Sequence, residues 1–182
     1  MDQTETRGKT IILGVGNLLL RDEGVGVHVA TNLMRFSLPD NIEVVEGGTD
    51  GYKLFHIILE ADRLIVVDCV KGGGEPASIY RFDVEDYEHV PDIYRTSVHQ
   101  VSILEVISMS GAFRTPPQTT IIGIEPEELS MSMELTPAVL AKVPRVMELA
   151  LEAAGLDPED YREELNAPVV QPEPEYPKSE SP

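Results

Sequence analysis

The stretch TIILGVGNLLLRDEGVG, Thr10 to Gly26, carries the architecture of the chain. Its first six residues are apolar and rich in β-branched side chains without polar alternation, which suits a strand buried on both faces. From about Glu23 onward, Val25, Val29, Leu33 and Phe36 recur at helical spacing. A buried strand running through glycines into an amphipathic helix is the opening of a βαβ unit. The rest of the chain repeats it. Ile42 to Val45 reads as a second strand stopped by Gly47 and Gly48, Tyr52 to Glu60 as a helix, and Leu64 to Val67 as the clearest buried strand. Ala77 to Phe82 alternates like a strand with one solvated face. Val98 to Met109 has helical periodicity, Thr119 to Ile124 is a further strand, and Pro137 to Ala154 is helical, with a kink or restart expected at the internal Pro144. The spacing predicts a single-domain α/β fold with a mainly parallel twisted sheet and helices on both faces.

Of the 182 residues, 32 are Asp or Glu and 14 are Lys or Arg, a formal net charge of -18. That balance argues against nucleic-acid binding, which draws on basic side chains to neutralise phosphates. No apolar run reaches the roughly 18 residues of a membrane helix, so no membrane partner is expected. Residues 1–9 read as a flexible polar leader without signal-peptide character. The single cysteine, Cys69, cannot close an internal disulfide and has no evident basic neighbour to make it a nucleophile, so it reads as a small buried hydrophobe. Together these features point to the cytoplasm and to a monomer. Residues 156–182 hold eight acids against Arg162 and Lys178, and six prolines. A short turn capped by Asp157 is expected near Pro158 to Leu165, and beyond Asn166 the acidic Pro/Glu composition predicts a largely disordered tail. The domain proper is then 10–155.

In open parallel sheets, ligands bind beyond the carboxyl ends of the strands, so the residues just after each strand carry the functional argument. After the first strand, Gly14 and Gly16 suggest a dinucleotide fingerprint, but Leu19 occupies the third glycine position. Asp22 and Glu23 at the helix start would also repel phosphates. These two acids complement the positive end of the helix, and Gly24 and Gly26 are expected to leave them uncovered for a cation or a peptide. After the second strand, Gly47-Gly48-Thr49-Asp50-Gly51 is a flexible loop or a plain turn with Thr49 or Asp50 as cap. Asp68 closes the most apolar strand, where an acid needs a partner. His99 opens the helix that follows Ser97-Val98, a candidate ligand or proton carrier. His28, His56 and His89 read as packing or surface residues.

With Gly14 to Asn17, Asp22 to Gly26, Gly47 to Gly51, Asp68, Ser97 to Gln100 and Ile122 to Glu127 in this order, the chain resembles the nickel-iron hydrogenase maturation endopeptidases over roughly residues 10 to 154. The resemblance implies a compact α/β enzyme that removes a C-terminal extension from the precursor of a hydrogenase large subunit once nickel has been inserted. It implies metal ligation by Glu23, Asp68 and His99, catalysis involving Asp68 and Glu23, and substrate contacts by Gly47, Gly48, Thr49, Asp50 and Gly51. Two carboxylates and an imidazole suit nickel brought by the precursor, and zinc or cadmium equally. A non-catalytic nickel-dependent checkpoint module for the same precursor is the competing reading.

Overall fold

The computed structural model describes residues 8–84 and 103–172. Among them, β1 (Thr10–Val15), β2 (Ile42–Gly48), β3 (Arg63–Cys69), β4 (Ile79–Val84) and β5 (Gln118–Ile124) form one sheet in the order β2-β1-β3-β5-β4. The pairs β1 with β2, β1 with β3 and β3 with β5 are parallel, and β4 closes the edge antiparallel to β5. The helices are α1 (Val25–Leu33), α2 (Gly51–Glu60), α3 (Ile103–Ser110), α4 (Pro137–Leu140), α5 (Val143–Ala153) and α6 (Arg162–Leu165). The predicted α/β class and two-sided layering are the observed ones.

Strand periodicity sorts the core into two layers. Ile12, Ile65, Val67 and Ile122 face α1 and α5, meeting Val29, Leu33, Val146 and Ala150. Ile11, Leu13, Leu64, Val66 and Ile121 face α2 and α3, meeting Leu54, Ile58, Ile103 and Ile107. These strand residues are all buried, which is why the sequence shows continuous apolar runs rather than alternation. Because α1 and α2 cover opposite faces, the winding of the chain reverses between β1 and β3. That switch point is where open α/β sheets leave a crevice beyond the strand ends.

Several boundaries differ from the expected ones for physical reasons. The strand β2 continues through Gly47 to Gly48 because Gly47 fits between the side chains of Leu54 and Leu13, where a Cβ would lie 2.7 and 2.8 Å from them. A 3-10 turn, Arg21–Gly24, precedes α1, so Glu23 stands before the α-helix rather than in it. The expected restart at Pro144 is a break between α4 and α5, with Pro144 in the tolerated first turn of α5. The domain does not end at 155. Asp157 caps a 3-10 turn as anticipated, but Leu165 is buried in the core and the chain to residue 172 crosses back over α1. There Asn32 on α1 donates to Val170 O and accepts from Val170 N–H, both at 2.8 Å, which a disordered tail from Asn166 would not do. An amide side chain that satisfies both backbone groups of one residue leaves no sequence periodicity to reveal it. Residues 173–182 lie outside the described ones.

Candidate functional site at the sheet switch point

Glu23 and Asp68 come to the carboxyl end of β1 and β3 because glycines let the start of α1 sit directly on the strand ends. A Cβ at Gly26 would fall 2.2 Å from both Val15 O and Val67 O, so the first turn of α1 touches the last peptides of the two central strands. At Gly16, φ is +136° and a Cβ would lie 1.9 Å from Glu23 O. The glycines of the opening stretch thus serve close backbone packing, not phosphate binding. They do not uncover both acids either: Asp22 is fully buried, while Glu23 keeps partial exposure.

Asp68 is also buried, at 1% exposure, and by strand alternation lies on the side of Leu64 and Val66. Its Oδ1 accepts the Cys69 N–H at 2.8 Å. Burial raises the pKa of the Cys69 thiol, and the charges of Asp68, Glu23 and Asp22 push it further in the same direction. A thiol so disfavoured as thiolate is no nucleophile, in line with its reading as a hydrophobe. Among the described residues no three His, Cys, Asp or Glu side chains converge as metal ligands. His99, the third ligand implied by the resemblance, lies outside the described residues, as does His89. The helix α3, on the face that holds Leu64 and Val66, begins at Ile103, soon after His99 in sequence.

Asp22, expected from sequence to be uncovered beside Glu23, and Glu125 are both tied up inside the fold. The carboxylate of Asp22 accepts from Glu127 N–H and Glu128 N–H, both at 3.0 Å, from Thr136 N–H at 2.8 Å and from Thr136 Oγ1–H at 2.9 Å. Glu125, closing β5, has the same strand-end signal as Asp68. Its Oε2 accepts from Gly72 N–H at 2.6 Å and Tyr80 O–H at 2.8 Å, holding the loop after β3. Beyond β3 and β5, Lys71, Gly73 and the segment Glu125 to Leu129 line a cavity of about 610 Å3. Another, of about 420 Å3, lies at the opposite, amino end of the strands beside Thr10 and Arg63, away from these acids.

The glycine loop rises from β2 into α2. Gly48 takes φ +60°, and Asp50, not Thr49, caps α2 by accepting from Tyr52 N–H at 3.0 Å and Lys53 N–H at 3.3 Å. Thr49 and Asp50 are exposed. Loss of this cap in Asp50→Ala is expected to cost about 1 kcal/mol, a fall in Tm of about 2–4 °C by thermal melting. An unchanged Tm would show that the cap contributes nothing.

His28 is a packing residue, as its helical position implied. It is fully buried on α1, with Nε2 3.2 Å from Met133 O. Burial pulls its pKa down to about 4, against a weaker upward pull from the Met133 carbonyl. The unfolded chain therefore takes up a proton near pH 6.5 that the folded protein refuses until about pH 4. The stability from this residue is complete above pH 6.5 and is lost as pH falls toward 4, by up to about 3 kcal/mol. Urea melts between pH 7.5 and 5, above the carboxylate range, should show the decline in wild type and a flatter profile in His28→Gln. Equal slopes would refute it. His56 is exposed on α2, edge-on to the Tyr52 ring at 4.5 Å.

The same fold occurs in proteins described as hydrogenase maturation proteases. A family model described as hydrogenase maturation protease matches residues 27–153. The hydrogenase expression/formation protein HupD of Bradyrhizobium diazoefficiens is 32% identical over 155 residues, covering 84% of this chain and 81% of that protein. The hydrogenase 2 maturation protease of Escherichia coli is 34% identical over 154 residues, covering 80% of this chain and 90% of its own length. The solved structure of the hydrogenase maturating endopeptidase HybD from E. coli superimposes with a TM-score of 0.71 at 32% identity, over 82% of this chain and 95% of that one. A sheet switch point that gathers acids rather than phosphate-binding amides, on a fold shared nearly end to end with such a peptidase, places this chain in the hydrogenase maturation protease family.

Proposed function

We propose that the protein removes a C-terminal extension from the nickel-loaded precursor of a [NiFe] hydrogenase large subunit, acting as a cytoplasmic monomer. The observation that carries this reading is the packing of Gly16 and Gly26, which seats the Glu23 turn on the ends of β1 and β3, the latter being the strand that contains Asp68. Nickel is cargo of the substrate. Glu23, Asp68 and His99 take up coordination positions on it and thereby hold the scissile peptide in one orientation, so that proximity supplies much of the rate. One of the two carboxylates accepts a proton from the attacking water, whose oxygen bonds to the peptide carbonyl carbon. The proton then passes to the leaving amide nitrogen as the C–N bond breaks. Gly47 to Gly51, on the rim beyond β2, contact the extension. A partly exposed Glu23 and a buried Asp68 suit unequal roles, the first reaching the precursor and the second held close to the strand end.

Incubation with nickel-loaded and nickel-free precursor, followed by intact-mass measurement, tests the reading. Release of a C-terminal peptide from the loaded precursor alone is expected. A stable complex without a change in mass would make the protein a non-catalytic checkpoint, and cleavage of the nickel-free precursor at an equal rate would remove nickel from the recognition step.

A further inference from the structure

The geometry points to Asp22 and Thr136 as positioning residues that hold Glu23 in its working orientation, an inference that rests on the proposed role of Glu23. A carboxylate is acceptor-only, and Asp22 spends both oxygens inside the protein: Oδ2 on Glu127 N–H, Glu128 N–H and the Thr136 hydroxyl, Oδ1 on Thr136 N–H. The Thr136 hydroxyl has one proton, which goes to Asp22. Its oxygen in turn accepts Val139 N–H at 3.4 Å as the cap of α4. A directed chain therefore runs from the start of α4 through Thr136 to Asp22, the residue before Glu23.

The turn so held is not a relaxed one. Arg21 has φ +49°, in the left-handed region that non-glycine residues seldom occupy. It is kept there by Arg21 N–H donating to Ser132 O at 2.7 Å and by its guanidinium on Glu128 Oε2 at 2.6 Å. On the other side, Glu23 O rests against Gly16. The Glu23 backbone is gripped between the end of β1 and the segment 127–136, and Asp22 is the buried tie between turn and segment. A tie that aims Glu23 affects the reaction more than it affects substrate binding or folding, as partners behind metal-binding side chains commonly do.

The test compares Thr136→Val, Thr136→Ser and Asp22→Asn in the full-length protein, with Glu23→Gln as reference. Processing of nickel-loaded precursor gives kcat and KM, corrected for folded fraction by circular dichroism, and calorimetry with Ni2+ alone gives a readout independent of turnover. Thr136→Val is expected to lower kcat about 10–100-fold and to weaken Ni2+ binding about tenfold, with KM rising by no more than about tenfold, while Thr136→Ser, which keeps the hydroxyl, restores all three. Folded Thr136→Val with kcat and Ni2+ affinity within twofold of wild type, while Glu23→Gln is inactive, would overturn the positioning role and leave the proposed function standing. Full activity in Glu23→Gln would overturn both. Should Asp22→Asn fail to fold, the Thr136 pair decides alone.

Discussion

Glu23→Gln and Asp68→Asn are each expected to lower the rate of precursor processing by about 10²–10⁴-fold, the range for removing a positioned general acid or base. Both substitutions keep side-chain volume, and they act differently on the fold. Glu23 is partly exposed on its turn, so its loss should leave Tm nearly unchanged. Asp68 is buried at the end of β3 and accepts the Cys69 N–H through Oδ1, a bond the Asn oxygen can keep. Its variant should fold and still fail to process the precursor. His99→Ala, which removes the proposed third ligand, is expected to join them. Intact-mass time courses on nickel-loaded precursor measure all three. Wild-type rates in the Glu23 and Asp68 variants would remove the site from the switch point.

Gly26→Ala is expected to damage both fold and activity, although it adds only one methyl group. The added methyl would stand 2.2 Å from Val15 O and from Val67 O, and both neighbours are backbone of central strands that cannot rotate away. Overpacking of this kind costs about 3 kcal/mol or more, a fall in Tm of about 6–12 °C for a chain of this length. Relief is possible only by lifting α1 off the sheet, which carries the Arg21–Gly24 turn and Glu23 with it. Activity should therefore fall further than the folded fraction does. Gly51→Ala is the internal comparison, since a Cβ there meets nothing within 4 Å and the position is helical. It should be neutral or stabilising by about 0.5 kcal/mol. Equal melting temperatures for the two variants would show that the close approach at Gly26 is not what seats the helix.

The contrast between those glycines shows how far the linear pattern reaches. Gly14, Gly16, Gly24 and Gly26 stand out in the sequence; the first two prompt a dinucleotide fingerprint that Leu19, Asp22 and Glu23 disfavour, and the last two suggest uncovered acids. The partners of Gly14, Gly16 and Gly26, the oxygens of Gly26, Glu23, Val15 and Val67, become evident only when α1 lies on the sheet. Likewise Asp22, Glu23, Asp68 and Glu125 are all acids after strands. Nothing in composition separates the two tied up by backbone donors, Asp22 and Glu125, from the two proposed to act.

Strand and helix identities were legible because they are local: a fully buried strand needs an unbroken apolar run, a one-sided helix needs recurrence near 3.6, and Pro144, with no N–H for residue i−4, stops the helix before it and can open the next. From those came the α/β class, the carboxyl edge as the place to look, and Glu23 and Asp68 as candidates. The antiparallel edge strand β4, the fate of Asp22 in the grip of Glu127, Glu128 and Thr136, and the return of the chain at Val170 to Asn32 were set by contacts between residues more than thirty positions apart in sequence. Hydrogen bonds to backbone groups carry no side-chain signature at the far end. A carboxylate's role follows from which donors the fold brings to it, and that is a property of three-dimensional packing rather than of residue order.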